Sequence, residues 1–170
     1  MKSNHSFDLL SCFPASAEPG KAFTSVTYSN LYFREPESRA DQTRMMSIVT
    51  TGAETGYYVD VFRSRKEKGG DKMHDYFYHN LGQTLTLTAA DGSDLNLQPT
   101  EELAFAGAHL YAYSYLYDKK VAATNKDVKA TFTIDMKDKD GDDIYMNLWM
   151  KGELDREVFT ALAPMTEGLS

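Results

Sequence analysis

Between Val128 and Lys151 the hydrophobicity alternates with a period of two on either side of an aspartate–glycine turn. Few patterns restrict a fold as tightly. Val128, Ala130, Phe132, Ile134 and Met136 fall on one side of an extended chain, and Lys129, Thr131, Thr133 and Asp135 on the other. Ile144, Met146, Leu148 and Met150 repeat the apolar series against Tyr145, Asn147, Trp149 and Lys151. A helix would scatter each series around its circumference. The segment therefore predicts two antiparallel strands, each with one face in a core. Lys137–Asp142 joins them, and Asp140-Gly141 can take the positive φ of a tight hairpin turn.

Comparable stretches predict strands at Ala22–Phe33, Thr43–Thr51, Tyr57–Arg65, Asp75–His79, Thr84–Ala89, Leu95–Leu97, His109–Tyr117 and Glu157–Leu162, with a further turn at Asp91-Gly92. Met1–Ala22 reads as an irregular strand and a loop holding Pro14, Pro19 and Gly20. No stretch keeps a 3.6-residue period over the length of a helix, and Thr100–Ala106 is at most a short helical turn. The expected fold class is all-β, an antiparallel β-sandwich or a large twisted antiparallel sheet, as a single domain over residues 1–170. No apolar run approaches the roughly 20 residues of a membrane-spanning helix.

Charge and cysteine usage narrow the chemistry. A net charge of −7 argues against a nucleic-acid partner, which is bound by neutralising phosphates with Lys and Arg. The one basic run, Arg63 to Lys72 around Gly69-Gly70, reads as a solvated loop. Cys12 is the only cysteine, so no intrachain disulfide exists, and no Cys/His set has zinc spacing. Leu9-Leu10-Ser11-Cys12 matches a lipoprotein cleavage box in miniature, but Asp8 interrupts the apolar run that a signal requires. Asp135, Asp138, Asp140, Asp142 and Asp143 suggest calcium. Placing Gly141 at the sixth position of an EF-hand loop puts Met136 first and Asn147 twelfth, which fails the ligand pattern. No metal and no cofactor are expected.

Two segments carry candidate chemistry. Tyr111, Tyr113, Tyr115 and Tyr117 alternate with small or apolar residues, so one strand would present four rings on one face. Such a face can stack on sugar rings or be buried beneath another layer. As a strand, His74–His79 would place His74, Tyr76 and Tyr78 on one side and Asp75, Phe77 and His79 on the other. His74 and Tyr76 are the candidate catalytic residues, since His and Tyr can act as general base and acid. Arg63, Tyr78, His79, Tyr111, Tyr113, Tyr115 and Tyr117 are the candidate carbohydrate-binding residues. Nucleophilic triads, phosphate-cradling glycine loops and dinucleotide fingerprints are absent.

The run Tyr57-Tyr58-Val59-Asp60-Val61-Phe62-Arg63, then Gly69-Gly70 and His74-Asp75-Tyr76, resembles the C-terminal β-sheet region of heparinase II/III-like polysaccharide lyases. Asn96–Thr100, Tyr111–Tyr117 and Trp149 through Pro164 look like continuations of it, so the resemblance covers about Thr43 to Ser170. It implies a β-sandwich that packs on an α/α toroid, an acidic polysaccharide or oligosaccharide as ligand, and a periplasmic or secreted setting. It also implies a chain that ends short of the family's own end. In that family catalysis uses toroid residues and a His-x-His metal motif. This chain has only His5, His74, His79 and His109, with no His-x-His, so those roles cannot be carried over.

Three readings follow. The first is a β-sheet portion of a lyase, inactive alone, that contacts carbohydrate and a catalytic toroid domain or chain. The second is an independent carbohydrate-binding or adaptor module. The third is a small autonomous uronate lyase that uses His74 and Tyr76.

Overall fold

The computed structural model describes residues 6–14, 25–36, 38–70, 74–102, 114–136 and 141–163, which form two units, Met1–Tyr76 and Phe77–Ser170. Every strand pairing among them is antiparallel, and the sheets do not close into a barrel. The expected all-β class holds. No helix is long and apolar enough to cross a membrane among the described residues.

The first unit is a meander of four strands in sequence order: β1 (Asp8–Phe13), β2 (Val26–Arg34), β3 (Asp41–Thr50) and β4 (Gly56–Arg65). Short connections force neighbouring strands to pair antiparallel. Arg39, at φ 56°, turns the chain from β2 into β3, and the Glu35 amide donates to the Ala40 carbonyl at 3.0 Å. From β2 to β4 the ladder is unbroken, with Leu31, Arg44 and Phe62 in one row. Ala40, 2% exposed, is this unit's only fully buried hydrophobic residue among those described.

The second unit has two three-stranded sheets around one core. In one, β8 (Val128–Ile134) lies between β5 (Thr84–Ala89) and β9 (Ile144–Met150). In the other, β7 (Tyr117–Thr124) lies between β10 (Arg156–Leu162) and the two-residue β6 (Gln98–Pro99). Ala122 from β7, Val158 from β10 and Val128 from β8 meet at the core, with Leu87, Leu95, Leu97 and Met150 packed against them. The apolar alternation of β8 and β9 is what supplies the inner face of this sheet, since Leu85, Phe132 and Met146 form one row and Leu87, Ala130 and Leu148 the next.

Three expected strands are corrected. Residues 74–80 join no ladder, and the division between the units falls within them, at Tyr76 and Phe77. Leu95 and Leu97 do reach the core, but Asn96 sits at φ 55° and its amide donates to Asp94 Oδ1 at 2.8 Å, a local turn that breaks the strand between them. For His109–Tyr117, residues 109–113 lie outside the described residues. Ser114 and Tyr115 form a 3₁₀ turn, and a strand starts only at Tyr117 and runs on to Thr124. The Asp91-Gly92 turn forms as expected, with Gly92 at φ 85° and its amide donating to the Ala89 carbonyl at 2.9 Å. The tip of the β8–β9 hairpin, residues 137–140, and most of the expected Thr100–Ala106 turn, residues 103–106, lie outside the described residues.

Candidate functional site

On the first sheet, the row that holds Arg44 and Phe62 lies beside the row that holds Met46 and Asp60. Directly opposed and diagonal side chains on one sheet face are within reach of each other. Arg44 accordingly clamps Asp60 in a fork: Nε donates to Oδ1 at 3.0 Å and Nη2 to Oδ2 at 2.6 Å. Tyr76 reaches the same carboxylate, its hydroxyl donating to Oδ2 at 2.8 Å, and its ring packs on Phe62 at 6.3 Å between centroids. The Arg44 guanidinium above all holds the Asp60 carboxyl below its ordinary value, against an opposing push from burial and with help from the Tyr76 hydroxyl. The same contact raises Arg44 further. The result is a neutral, internally paired cluster on an exposed sheet face.

This geometry separates the residues singled out from the sequence. Tyr76 is tied to Asp60, whereas His74 is exposed on a segment without regular structure. Arg63 stands opposite Thr43, one position along from Phe62, so it projects from the other face of β4. Tyr78 is half-buried against Phe132 at 5.8 Å and helps to line a shallow recess with Leu81, Ile134 and Ile144. His79 is exposed and stacks on Phe77 at 6.0 Å. Tyr111 and Tyr113 lie outside the described residues. Tyr115 and Tyr117 are both exposed, one in the 3₁₀ turn and the other at the start of β7, so they do not share a continuous strand face. Among the described residues no three of His, Cys, Asp and Glu converge as metal ligands.

A second polar surface escaped the sequence reading. It is the outer face of β5, β8 and β9, where cross-strand register makes rows of Thr84, Thr133 and Tyr145, of Thr86, Thr131 and Asn147, and of Thr88, Lys129 and Trp149. Thr131 Oγ1 bonds the Asn147 side-chain oxygen at 2.8 Å, and Lys129 Nζ lies 5.4 Å from the centroid of the Trp149 ring. The alternation in β8 and β9 was the available signal. It placed these residues on the polar face of each strand, but not on the same rows.

The comparisons with known proteins bear on the chain as a whole. It is 32% identical over 143 residues to an endo-acting ulvan lyase of Formosa agariphila, a match that covers 82% of this chain. The chain spans 17% of the length of that relative. The chain is thus related to a polysaccharide lyase. No protein-family model matches it, and no solved structure does.

Proposed function

We propose that this chain is a β-sheet portion of a heparinase II/III-like polysaccharide lyase, one that contacts an acidic polysaccharide without cleaving it alone. The proposal takes residues 1–170 as one module that works beside a catalytic toroid, on the same chain or another. The observation that carries it is the fate of Tyr76. A tyrosine that serves as acid or base in β-elimination must exchange its proton with the sugar, and a general catalyst must lie within hydrogen-bond reach of its target. Here that hydroxyl donates to Asp60, which Arg44 already holds. His74 is exposed and sits on irregular backbone rather than on a rigid element. Lyases also need fixed positive charge against the uronate carboxylate, and preorganised charge of this kind is usually the largest catalytic contribution. Arg44, the cation beside Tyr76, is already neutralised by Asp60.

Ulvan, the polysaccharide named for the relative, is the first ligand to test. The purified chain, mixed with ulvan, heparan sulfate, alginate or hyaluronan, is expected to give no new ultraviolet absorbance from an unsaturated uronate. It is expected to be retarded in native gels that contain one of these polysaccharides. Product that vanishes in both His74→Ala and Tyr76→Phe would establish the autonomous lyase instead. Absence of retardation by every polysaccharide would end the carbohydrate part of the proposal.

A further inference from the structure

The outer rows of β5, β8 and β9 form a lattice of nine side chains, backed by an apolar inner face of Leu85, Leu87, Ala89, Val128, Ala130, Phe132, Ile134, Ile144, Met146, Leu148 and Met150. The inner face satisfies the core, so the outer residues are not needed there. At its two ends β9 presents Trp149, 62% exposed, and Tyr145, 58% exposed. They stand four positions apart on the strand, about 13 Å, and both rings are on the same side. Between and beside them lie five threonines, Asn147 and Lys129. The bond from Thr131 to the Asn147 carbonyl oxygen leaves the amide nitrogen to donate outward. A sheet face with two exposed rings joined by hydroxyl and amide groups matches an extended chain of sugars. Sugar rings offer apolar faces to stack and hydroxyls that both donate and accept.

Charge refines the ligand. In a chain of net charge −7, the lattice contains one cation, Lys129, and no carboxylate. At the Trp149 end the flanking Lys151 and Asp127 neutralise each other in an ion pair at 3.1 Å, while at the far end Asp143 accepts from the Tyr145 hydroxyl at 3.4 Å. The polarity is therefore cationic beside Trp149 and acidic beyond Tyr145. A protein partner or a second copy would need an apolar interface centre, and the centre here is Thr131, with Thr86 and Asn147 on either side. We infer that this face binds a single acidic polysaccharide chain lying along β9, with sugar faces on Trp149 and Tyr145 and an anionic group at Lys129. The inference rests on the carbohydrate contact proposed above and gives it a place.

Trp149 is the chain's one tryptophan, so its fluorescence reports on this face alone. The full chain is titrated with ulvan, polygalacturonate and neutral dextran, with gel retardation measured in parallel. Binding should shift Trp149 emission at the same concentrations that retard the protein. Trp149→Ala and Tyr145→Ala, each checked for unchanged far-ultraviolet circular dichroism, should each weaken retardation roughly tenfold, as truncating an aromatic anchor does. Lys129→Gln should weaken polygalacturonate and spare dextran. This substitution and Tyr145→Ala keep the test decisive if Trp149→Ala fails to fold. Retardation without any change in Trp149 emission, or at parental strength in both aromatic variants, would place the contact elsewhere and leave the carbohydrate reading standing. No retardation of the parent by any polysaccharide would remove both. A dimer in sedimentation that Trp149→Ala dissolves, with polysaccharide binding intact, would give the face to a second copy. Equal binding of dextran and polygalacturonate with Lys129→Gln silent would overturn the anionic assignment.

Discussion

Tyr76 shows how one hydrogen bond changes what a side chain can do. Its hydroxyl and the Arg44 guanidinium both favour the charged form of Asp60, which lowers the carboxyl below its ordinary 3.8. The folded carboxyl thus binds its proton more weakly than the unfolded one. The cluster's contribution to stability is complete above the unfolded value and is lost as pH falls through the folded value, below about pH 4. Arg44 is substantially exposed, so that contribution is about 1 kcal/mol or less after solvent screening. Tyr76→Phe should raise the Asp60 titration toward 3.8, and Arg44→Ala should raise it further. Carboxyl-carbon NMR across the acid range reads both, and an unchanged Asp60 titration in Tyr76→Phe would show that the hydroxyl is not engaged. The sequence singles out Tyr76, whereas Asp60 enters it only as one residue of the Tyr57–Arg63 resemblance. Arg44 was not legible there, because the fork requires that β3 and β4 pair with Arg44 opposite Phe62, and register depends on the intervening turn.

Period-two alternation revealed the strands whose two faces differ most. Thr84–Ala89 was read to the residue, and Val128 through Met150 nearly so, because one face packs on the core cluster while the other meets water. β7 was missed because it begins Tyr117-Asp118-Lys119-Lys120, a loop-like opening, with Asp118 at φ 47° and an irregular register opposite Thr160–Leu162. Only Val121 and Ala122 announce the core. The contrast between the two faces of β8 is directly measurable. Phe132 packs among Tyr78, Ile134 and Met146, so Phe132→Ala should cost about 2–4 kcal/mol, below the full cost of a completely buried ring. Thr131→Ala loses one hydrogen bond to Asn147, about 1 kcal/mol. Equal shifts in denaturant midpoint would mean that the strand faces are reversed. After β9 the chain passes Gly152, where a Cβ would stand 2.2 Å from the Asn125 carbonyl oxygen and 2.4 Å from the Lys126 carbonyl carbon. Gly152 also donates its amide to Asp127 at 2.7 Å, which pins the β7–β8 turn to the chain after β9. Gly152→Ala should therefore destabilise the second unit by about 2–3 kcal/mol, since backbone rather than a movable side chain must give way. A parental melting temperature would refute that contact.

Across the chain, burial is unevenly distributed, and the stability of its parts should follow. Among the described residues the first unit has Ala40 as its fully buried hydrophobic residue, while Met46, Ile48, Tyr58 and Phe62 on one sheet face are each more than a third exposed. The second unit concentrates Ala89, Ala122, Val128, Ala130 and Val158 at 9% exposure or less. Local opening is easiest where apolar contacts are few and strand edges are free. β8 has a partner on both sides, and its inner face meets the core. Among the described residues β1 pairs only with β2, and Leu9 and Leu10 on it are more than half exposed. Native-state hydrogen exchange should therefore find the slowest amides in Val128–Ile134, with faster exchange through the first unit and the fastest strand amides in Asp8–Phe13. Uniform protection across β1 to β4 at the level of β8 would mean that the open faces of the first sheet are covered in solution. If adding an acidic polysaccharide slows exchange in β9 while leaving β1 to β4 unchanged, the ligand rests on the Trp149 and Tyr145 face. Slowing confined to the strands that carry Arg44 and Asp60 would move the contact to the first sheet.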